Sequence, residues 1–245
     1  MTERSLNREF RDEDISLALS EIAKAASQGK RNVSVVVATK TVPANVINRS
    51  RALGINAIGE NRVQELLSKY DELDKEGLDI HFIGRLQTNK VKYIVDKVDM
   101  IQSIDSERLA AEIERQCAKI GKIMDVLIEV NIAGEESKGG ISKDEIYDLC
   151  DTVNSFRHLN LRGIMVIPPK CEDKEELVKY FSQSYEIFID ICENKLHNIY
   201  NRVLSMGMSG DYKEALLCGS TMIRPGRAIF GERYYPPKAD TKSDI

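Results

Sequence analysis

Val33-Ser34-Val35-Val36-Val37-Ala38-Thr39-Lys40 is the stretch whose reading decides the fold. Val and Ala run almost unbroken through it, which suits a strand buried on both faces, and the run ends at a lysine. Pro43 follows, where proline fits the first turn of a helix. The pattern predicts a parallel strand with Lys40 at its carboxyl end, where open and barrel α/β proteins place their sites. A lysine whose stem lies among apolar groups sheds its proton more readily and attacks carbonyl carbons. A lysine that merely ends a strand points into water. This stretch alone leaves both readings open.

Working outward, strand and helix signals alternate. Before the strand, Ile15, Leu19, Ile22 and Ala26 recur at helical spacing, predicting an extra N-terminal helix to about Gly29. After it, further strands are expected at 55–59, 79–84, 100–105, 123–130, 161–167, 203–208 and 222–224. Helices are expected at 44–53, 62–75, 90–98, 106–120, 173–195 and 211–218. Gly54 and Gly121 supply stops, and Ser142 with Glu145 forms a capping box for one more helix after the 131–140 loop. Eight strands separated by helical stretches predict an α/β fold, a single closed (β/α)8 TIM barrel. Periodicity does not show closure, so an open doubly wound sheet is the structural rival. No linker divides the chain; residues 1–235 read as one domain and 236–245 as a polar, mobile tail.

Composition narrows the function classes. The chain has 245 residues, 42% hydrophobic and 30% charged, enough for a sizeable core. A net charge of −4 gives no reason to expect nucleic acid or an anionic membrane surface, and no apolar run reaches membrane-spanning length. Cys117, Cys150, Cys171, Cys192 and Cys218 are scattered and form no Cys-x-x-Cys pair, so no metal site or disulfide frame is signalled. Indifferent thiols in a reducing cytosol are expected, and the protein reads as cytoplasmic.

With the strands so placed, their carboxyl ends bring Lys40, Asn61, Gly84, Asp105, Asn131, Pro168, Ser209 and Gly226 to one rim. Barrels of this kind often hold phosphate in the loops after strands seven and eight. Met206-Gly207-Met208-Ser209-Gly210-Asp211 offers glycines for close backbone approach and a hydroxyl. Arg224-Pro225-Gly226-Arg227-Ala228 offers a guanidinium and free amides. The bland readings are a helix cap for Ser209 and an ion pair within the barrel for Arg224. An amine beside a phosphate anchor suits a ligand carrying both aldehyde and phosphate, such as pyridoxal 5'-phosphate (PLP) or a sugar phosphate.

Five segments carry a resemblance. They are Val35–Thr41, Gly59-Glu60-Asn61-Arg62-Val63-Gln64-Glu65, His81-Phe82-Ile83-Gly84-Arg85-Leu86-Gln87-Thr88-Asn89-Lys90, Ser205-Met206-Gly207-Met208-Ser209 and the run from Gly219 to Gly231. In this order the chain resembles the PLP homeostasis protein family, also called the YggS/PROSC family, over roughly Ile15 to Tyr234. The resemblance implies a barrel like the alanine racemase N-terminal domain, with PLP held on Lys40 as a Schiff base. It implies a phosphate cup at Ser209, Gly226 and Arg227, Arg224 facing the pyridine nitrogen, and Asn61 near the ring's phenolic side. Ordinary packing is the better reading for Met165 and Met206, and a satisfied strand histidine for His81. Pro225 stands where many members carry an aliphatic residue; it removes one amide donor but leaves Gly226 and Arg227 free to donate.

The resemblance implies a carrier that regulates vitamin B6 and linked amino-acid and keto-acid pools and hands PLP to PLP-requiring apoenzymes, as a monomer without turnover. Arg224 has no acceptor and only donates to the pyridine nitrogen, which favours an unprotonated ring, a poorer electron sink. Alanine racemases also use a tyrosine base from a second domain, and Tyr234 and Tyr235 lie too near the last strand to stand for one. The alternatives are a PLP-dependent racemase or another enzyme of that fold type, and a PLP-free Schiff-base lyase acting on a sugar phosphate. Whether the 131–140 loop, with Lys138, closes over the site is left open.

Overall fold

The computed structural model describes residues 10–27, 32–135, 139–196 and 202–232. Its organising feature is a split first strand. β1 (Ser34–Val35) pairs in parallel with β9 (Met222–Ile223), and β2 (Val37–Ala38) pairs in parallel with β3 (Ala57–Glu60). Between them run β4 (Asp79–Phe82), β5 (Met100–Ile104), β6 (Met124–Val130), β7 (Leu159–Val166) and β8 (Val203–Ser205). The order β1-β9-β8-β7-β6-β5-β4-β3-β2 therefore closes on itself through one strand. That closure removes the open-sheet rival. The strand is interrupted at Val36 because its partner changes there: the Val36 amide donates to Ile223, while the Thr39 amide donates to Gly59.

Period-2 alternation sorts the strand residues into two layers. Val36, Met100, Leu127, Met165, Val203 and Met222 pack together inside the barrel. Their neighbours Val37, Ile101, Val126, Ile128, Ile164, Val166, Leu204 and Ile223 pack outward against the helices. Continuing the alternation from Val36 aims Ala38 and Lys40 inward and Thr39 outward. Met206 belongs to the outer layer and Met165 to the inner one.

The helices are α1 (Asp12–Ser27), α2 (Ala44–Arg51), α3 (Val63–Tyr70), α4 (Glu107–Ile120), α5 (Ile146–Ser155), α6 (Lys174–Asn194), α7 (Tyr212–Leu217) and α8 (Arg227–Phe230). α1 is the extra N-terminal helix and buries Ile15 and Ile22; its expected stop near Gly29 lies outside the described residues. The Ser142–Glu145 capping box is present, but it caps a 3-10 turn, Lys143–Glu145, ahead of α5. The helix expected at 90–98 is instead a 3-10 segment, Thr88–Tyr93, followed by separate turns. Val91, Ile94, Val95 and Val98 are β-branched, which weakens an α-helix over so short a span. The strand expected to run to Met208 stops at Ser205, because Gly207 turns the chain at φ 98°. No helix among the described residues is long and apolar enough to cross a membrane. The tail 236–245 lies outside the described residues.

Candidate functional site

Because the first strand pairs on both sides, Lys40 sits between the end of β3, with Asn61, and the end of β9, with Gly226. Lys40 is half-buried in the turn after β2, and among the described residues no hydrogen bond or ion pair engages its amine. Behind it lies a cluster that sequence reasoning missed. Lys69 Nζ on α3 donates to the Thr39 and Val42 carbonyls, both at 3.1 Å. It also donates to Glu60 Oε1 at 2.9 Å and Glu65 Oε1 at 3.4 Å. Thr39 Oγ1 donates to Glu60 Oε1 at 2.5 Å, and the Thr41 amide donates to Glu65 Oε1. Thr41 takes φ 66°, an unusual value for a β-branched residue, and the bonds to either side hold it there. Burial raises the Glu60 carboxyl above its ordinary range, against the pull of Lys69. The Glu65–Lys69 spacing of i, i+4 on one helix was the available signal.

The ends of β8 and β9 bring a hydroxyl and backbone amides together in one turn. Ser209 Oγ accepts from the Gly226 amide at 2.9 Å and from the Ala228 amide at 3.0 Å. A Cβ on Gly226 would stand 2.9 Å from the Ala38 carbonyl oxygen, so glycine brings this turn against the strand that carries Lys40. The Arg227 side chain points away and pairs with Glu232 at 3.4 Å, so only its backbone faces the turn. The 224–228 run was read as offering free amides; that Ser209 gathers those of Gly226 and Ala228 was not legible.

Arg224 is buried between turn and barrel. Its Nη1 donates to Ser205 Oγ at 2.5 Å and its Nη2 to the Val166 carbonyl at 2.9 Å. Burial pulls its guanidinium down to about 10, opposed by the charges of Glu129 and Asp211; it stays protonated at neutral pH. A polar chain continues inward: Ser205 Oγ donates to Gln102 Oε1 at 2.7 Å, and Gln102 Nε2 lies 2.8 Å from His81 Nδ1. His81 is thus the satisfied strand histidine, and burial pushes it down to about 4. It lines the opposite, N-terminal mouth of the barrel, beside Asp79, Asp99 and Met222.

Glu129 was also missed, though alternation from Leu127 aims it inward. Burial, with the nearby charge of Asp105, pushes its carboxyl up to about 7 against Arg224 and Arg85. Gly139 lies against it; a Cβ there would stand 3.3 Å from Oε1. The Ile141 amide donates to the Glu129 carbonyl at 2.9 Å, folding residues 139–141 back along the end of β6. Lys138 lies outside the described residues. Asn131 is used up locally, its amide donating to the Glu135 carbonyl at 2.8 Å. Asn61 lies at the rim, its backbone pressed on Gly84, where a Cβ would stand 2.1 Å from the Asn61 carbonyl oxygen.

The donor set suits one kind of ligand: an anion at the backbone amides, a hydrogen-bond acceptor at Arg224, and a carbonyl carbon at Lys40. Together with the closed barrel it defines a class, the alanine-racemase-type barrels, and a family model for the alanine racemase N-terminal domain matches residues 18–234. The pyridoxal phosphate homeostasis protein of Aquifex aeolicus (strain VF5) is 41% identical over 226 residues, covering 91% of this chain and 98% of that protein. A solved structure of an unknown protein from Bifidobacterium adolescentis superposes with TM-score 0.83 at 31% identity, covering 91% of this chain and 97% of that one. PipY of Synechococcus elongatus PCC7942, solved with PLP bound, gives TM-score 0.77 at 30% identity over 89% of this chain and 100% of that one. The chain belongs to the pyridoxal phosphate homeostasis protein family.

Proposed function

We propose that this protein binds pyridoxal 5'-phosphate and serves vitamin B6 homeostasis, holding the cofactor on Lys40 and releasing it to PLP-requiring apoenzymes. The observation that carries the reading is the Lys40 amine, without a partner among the described residues, on the strand that the Gly226 turn touches. When bound, the cofactor would supply an aldehyde, and Lys40 would be the amine that holds it. Ser209 and the amides of Gly226, Arg227 and Ala228 would grip the phosphate, and Asn61 would stand by the ring's phenolic side. Arg224 would donate to the pyridine nitrogen and orient the ring; it has no proton acceptor to offer.

That same property disfavours carbanion turnover without forbidding it, because an unprotonated ring is a poorer electron sink. In this reading residues 1–235 act as one barrel domain, as a monomer in the cytoplasm. Borohydride reduction of the PLP-loaded protein followed by peptide mapping should place the reduced cofactor on Lys40. Lys40→Ala should lose the visible absorbance yet keep phosphate-driven affinity. A reduced cofactor mapped to another lysine overturns the assignment, and steady α-proton exchange of L-amino acids in deuterated water overturns the carrier.

A further inference from the structure

The rim carries a second cavity that the proposed cofactor site does not use. It encloses about 960 Å³ among the segments that follow β3, β4 and β5. Arg62, Arg85, Lys90 and Arg108 line it, with Asn61 at one side and Asp105 as its carboxylate. None of the four cations belongs to an ion pair among the described residues. Arg108 donates to Thr88 Oγ1 at 3.3 Å, and Lys90 Nζ lies 5.8 Å from the Tyr93 ring centre. Arg62 and Arg85 make no hydrogen bond to a described residue.

Elsewhere among the described residues, unpaired cations such as Lys24, Arg157, Lys170 and Lys179 are scattered singly, and several others are paired. Arg49 pairs with Asp12, Arg51 with Asp74, Arg115 with Glu112, Arg162 with Asp125 and Lys195 with Asp151. In a chain of net charge −4, four unpaired cations facing one concavity form a local field opposite to that of the whole. Backbone adds to it. α3 begins at the cavity wall with no side-chain cap at Arg62 and presents the positive end of its dipole, while the start of α4 beside it is capped by Ser106.

We infer that this cavity binds a compact anion carrying two or more negative charges, either a phosphate ester or a di- or tricarboxylate. Arginine forks match both groups bidentately, and the volume fits a small metabolite. None of the four cations lies in the Ser209–Gly226 turn, so the site stands apart from the cofactor reading. Asn61 borders both places, which sets the anion beside the lysine strand.

The test is calorimetric titration of the full-length protein with pyrophosphate and, separately, with citrate, both with and without bound PLP. Saturable binding that persists in the PLP-loaded protein is expected. Arg85→Ala/Arg108→Ala should weaken it by at least about tenfold for the loss of two charge-assisted contacts, with the cofactor's absorbance and the melting temperature unchanged. Pyrophosphate alone binding assigns a phosphate ester, citrate alone a polycarboxylate, and both a site selecting on charge. If the double variant melts early, Arg62→Ala/Lys90→Ala addresses the same cavity from its other wall and must show the same loss. No saturable heat with either anion, or binding that survives both double variants, overturns the inference. So does binding that disappears when PLP is present and responds only to Ser209→Ala, since that is the phosphate turn. The titrations without PLP stand even if the cofactor reading fails.

Discussion

The two ends of the proposed cofactor site are built by opposite means. At the first strand, a side chain does the chemistry, and other side chains hold its backbone from behind: Lys69, Glu60 and Glu65 bond to Thr39, Thr41 and Val42 on either side of Lys40. At the last two strands, backbone amides do the binding, and a single hydroxyl, Ser209, organises them. A covalent anchor needs one atom placed accurately, so the protein spends a buried ion cluster on it. An anion needs several donors with some tolerance, which a glycine turn provides without buried charge. Damage at the first end should therefore slow condensation and lower stability. Damage at the second should mainly weaken affinity.

The largest effect is expected for Lys69→Met. It leaves two carboxylates without their cation, one of them, Glu60, wholly buried, and breaking such a pair costs about 3–5 kcal/mol. Urea unfolding should show that loss, and the visible band should grow more slowly after PLP is added. Affinity for pyridoxine 5'-phosphate, which lacks the aldehyde, should stay as in the parent chain. Glu60→Gln/Lys69→Met should recover much of the stability, since no unpaired charge remains at that pair. If pyridoxine phosphate is lost in step with the condensation rate, the two ends are not separate.

Glu129 lies in the barrel between the two ends and gives the next effect. Its ordinary value is 4.5 and its folded value about 7, so across that window the folded chain holds a proton that the unfolded chain releases. Stability is therefore lost as pH rises from 4.5 to 7, by on the order of 3 kcal/mol in all. His81 works in the other direction. Its value falls from 6.5 to about 4, so its contribution is lost as pH drops through that range. The two nearly offset in the cofactor-free parent chain. In Glu129→Gln the offset is gone: stability relative to the parent should be unchanged near pH 4 and higher above pH 7. A stability difference that stays constant with pH would show that Glu129 does not titrate in this way.

Much of this was legible in the sequence, for reasons that differ by residue. The Val-rich run ending at Lys40 announced a buried parallel strand, and the turns holding Ser209, Gly226 and Arg227 announced an anion site through glycine and position. Arg224 stood out as a guanidinium on a strand that should be apolar. Closure was not legible, because it depends on one strand changing partners at Val36. Nor was the backing of Lys40, since it depends on α3 turning Lys69 inward onto Glu60 and the Thr39 and Val42 carbonyls. For Arg227 the expected contribution was its backbone amide; its guanidinium pairs with Glu232. Side-chain letters say little about how backbone donors are aimed, so the 224–228 run showed free amides but not which of them Ser209 gathers.

Ser209→Ala is the mildest of these changes and the cleanest reading of the second end. Its hydroxyl accepts from two amides here, and the same group would donate to a phosphate oxygen if the amides turned to that anion. Hydrogen bonds to a charged partner contribute about 1.5–3 kcal/mol, so PLP affinity should fall by about tenfold to a hundredfold. Ala228 is exposed and takes water in place of the lost acceptor, whereas the buried Gly226 amide loses its partner, so the melting temperature should fall by a few degrees while the fold is kept. Condensation at saturating PLP should proceed at the parent rate, because nothing around Thr39 to Val42 has changed. Pyridoxal, which has no phosphate, should bind the variant and the parent alike. A variant that loses pyridoxal and PLP equally would mean that Ser209 shapes the whole site, and the contrast between a side-chain anchor and a backbone anchor would not hold.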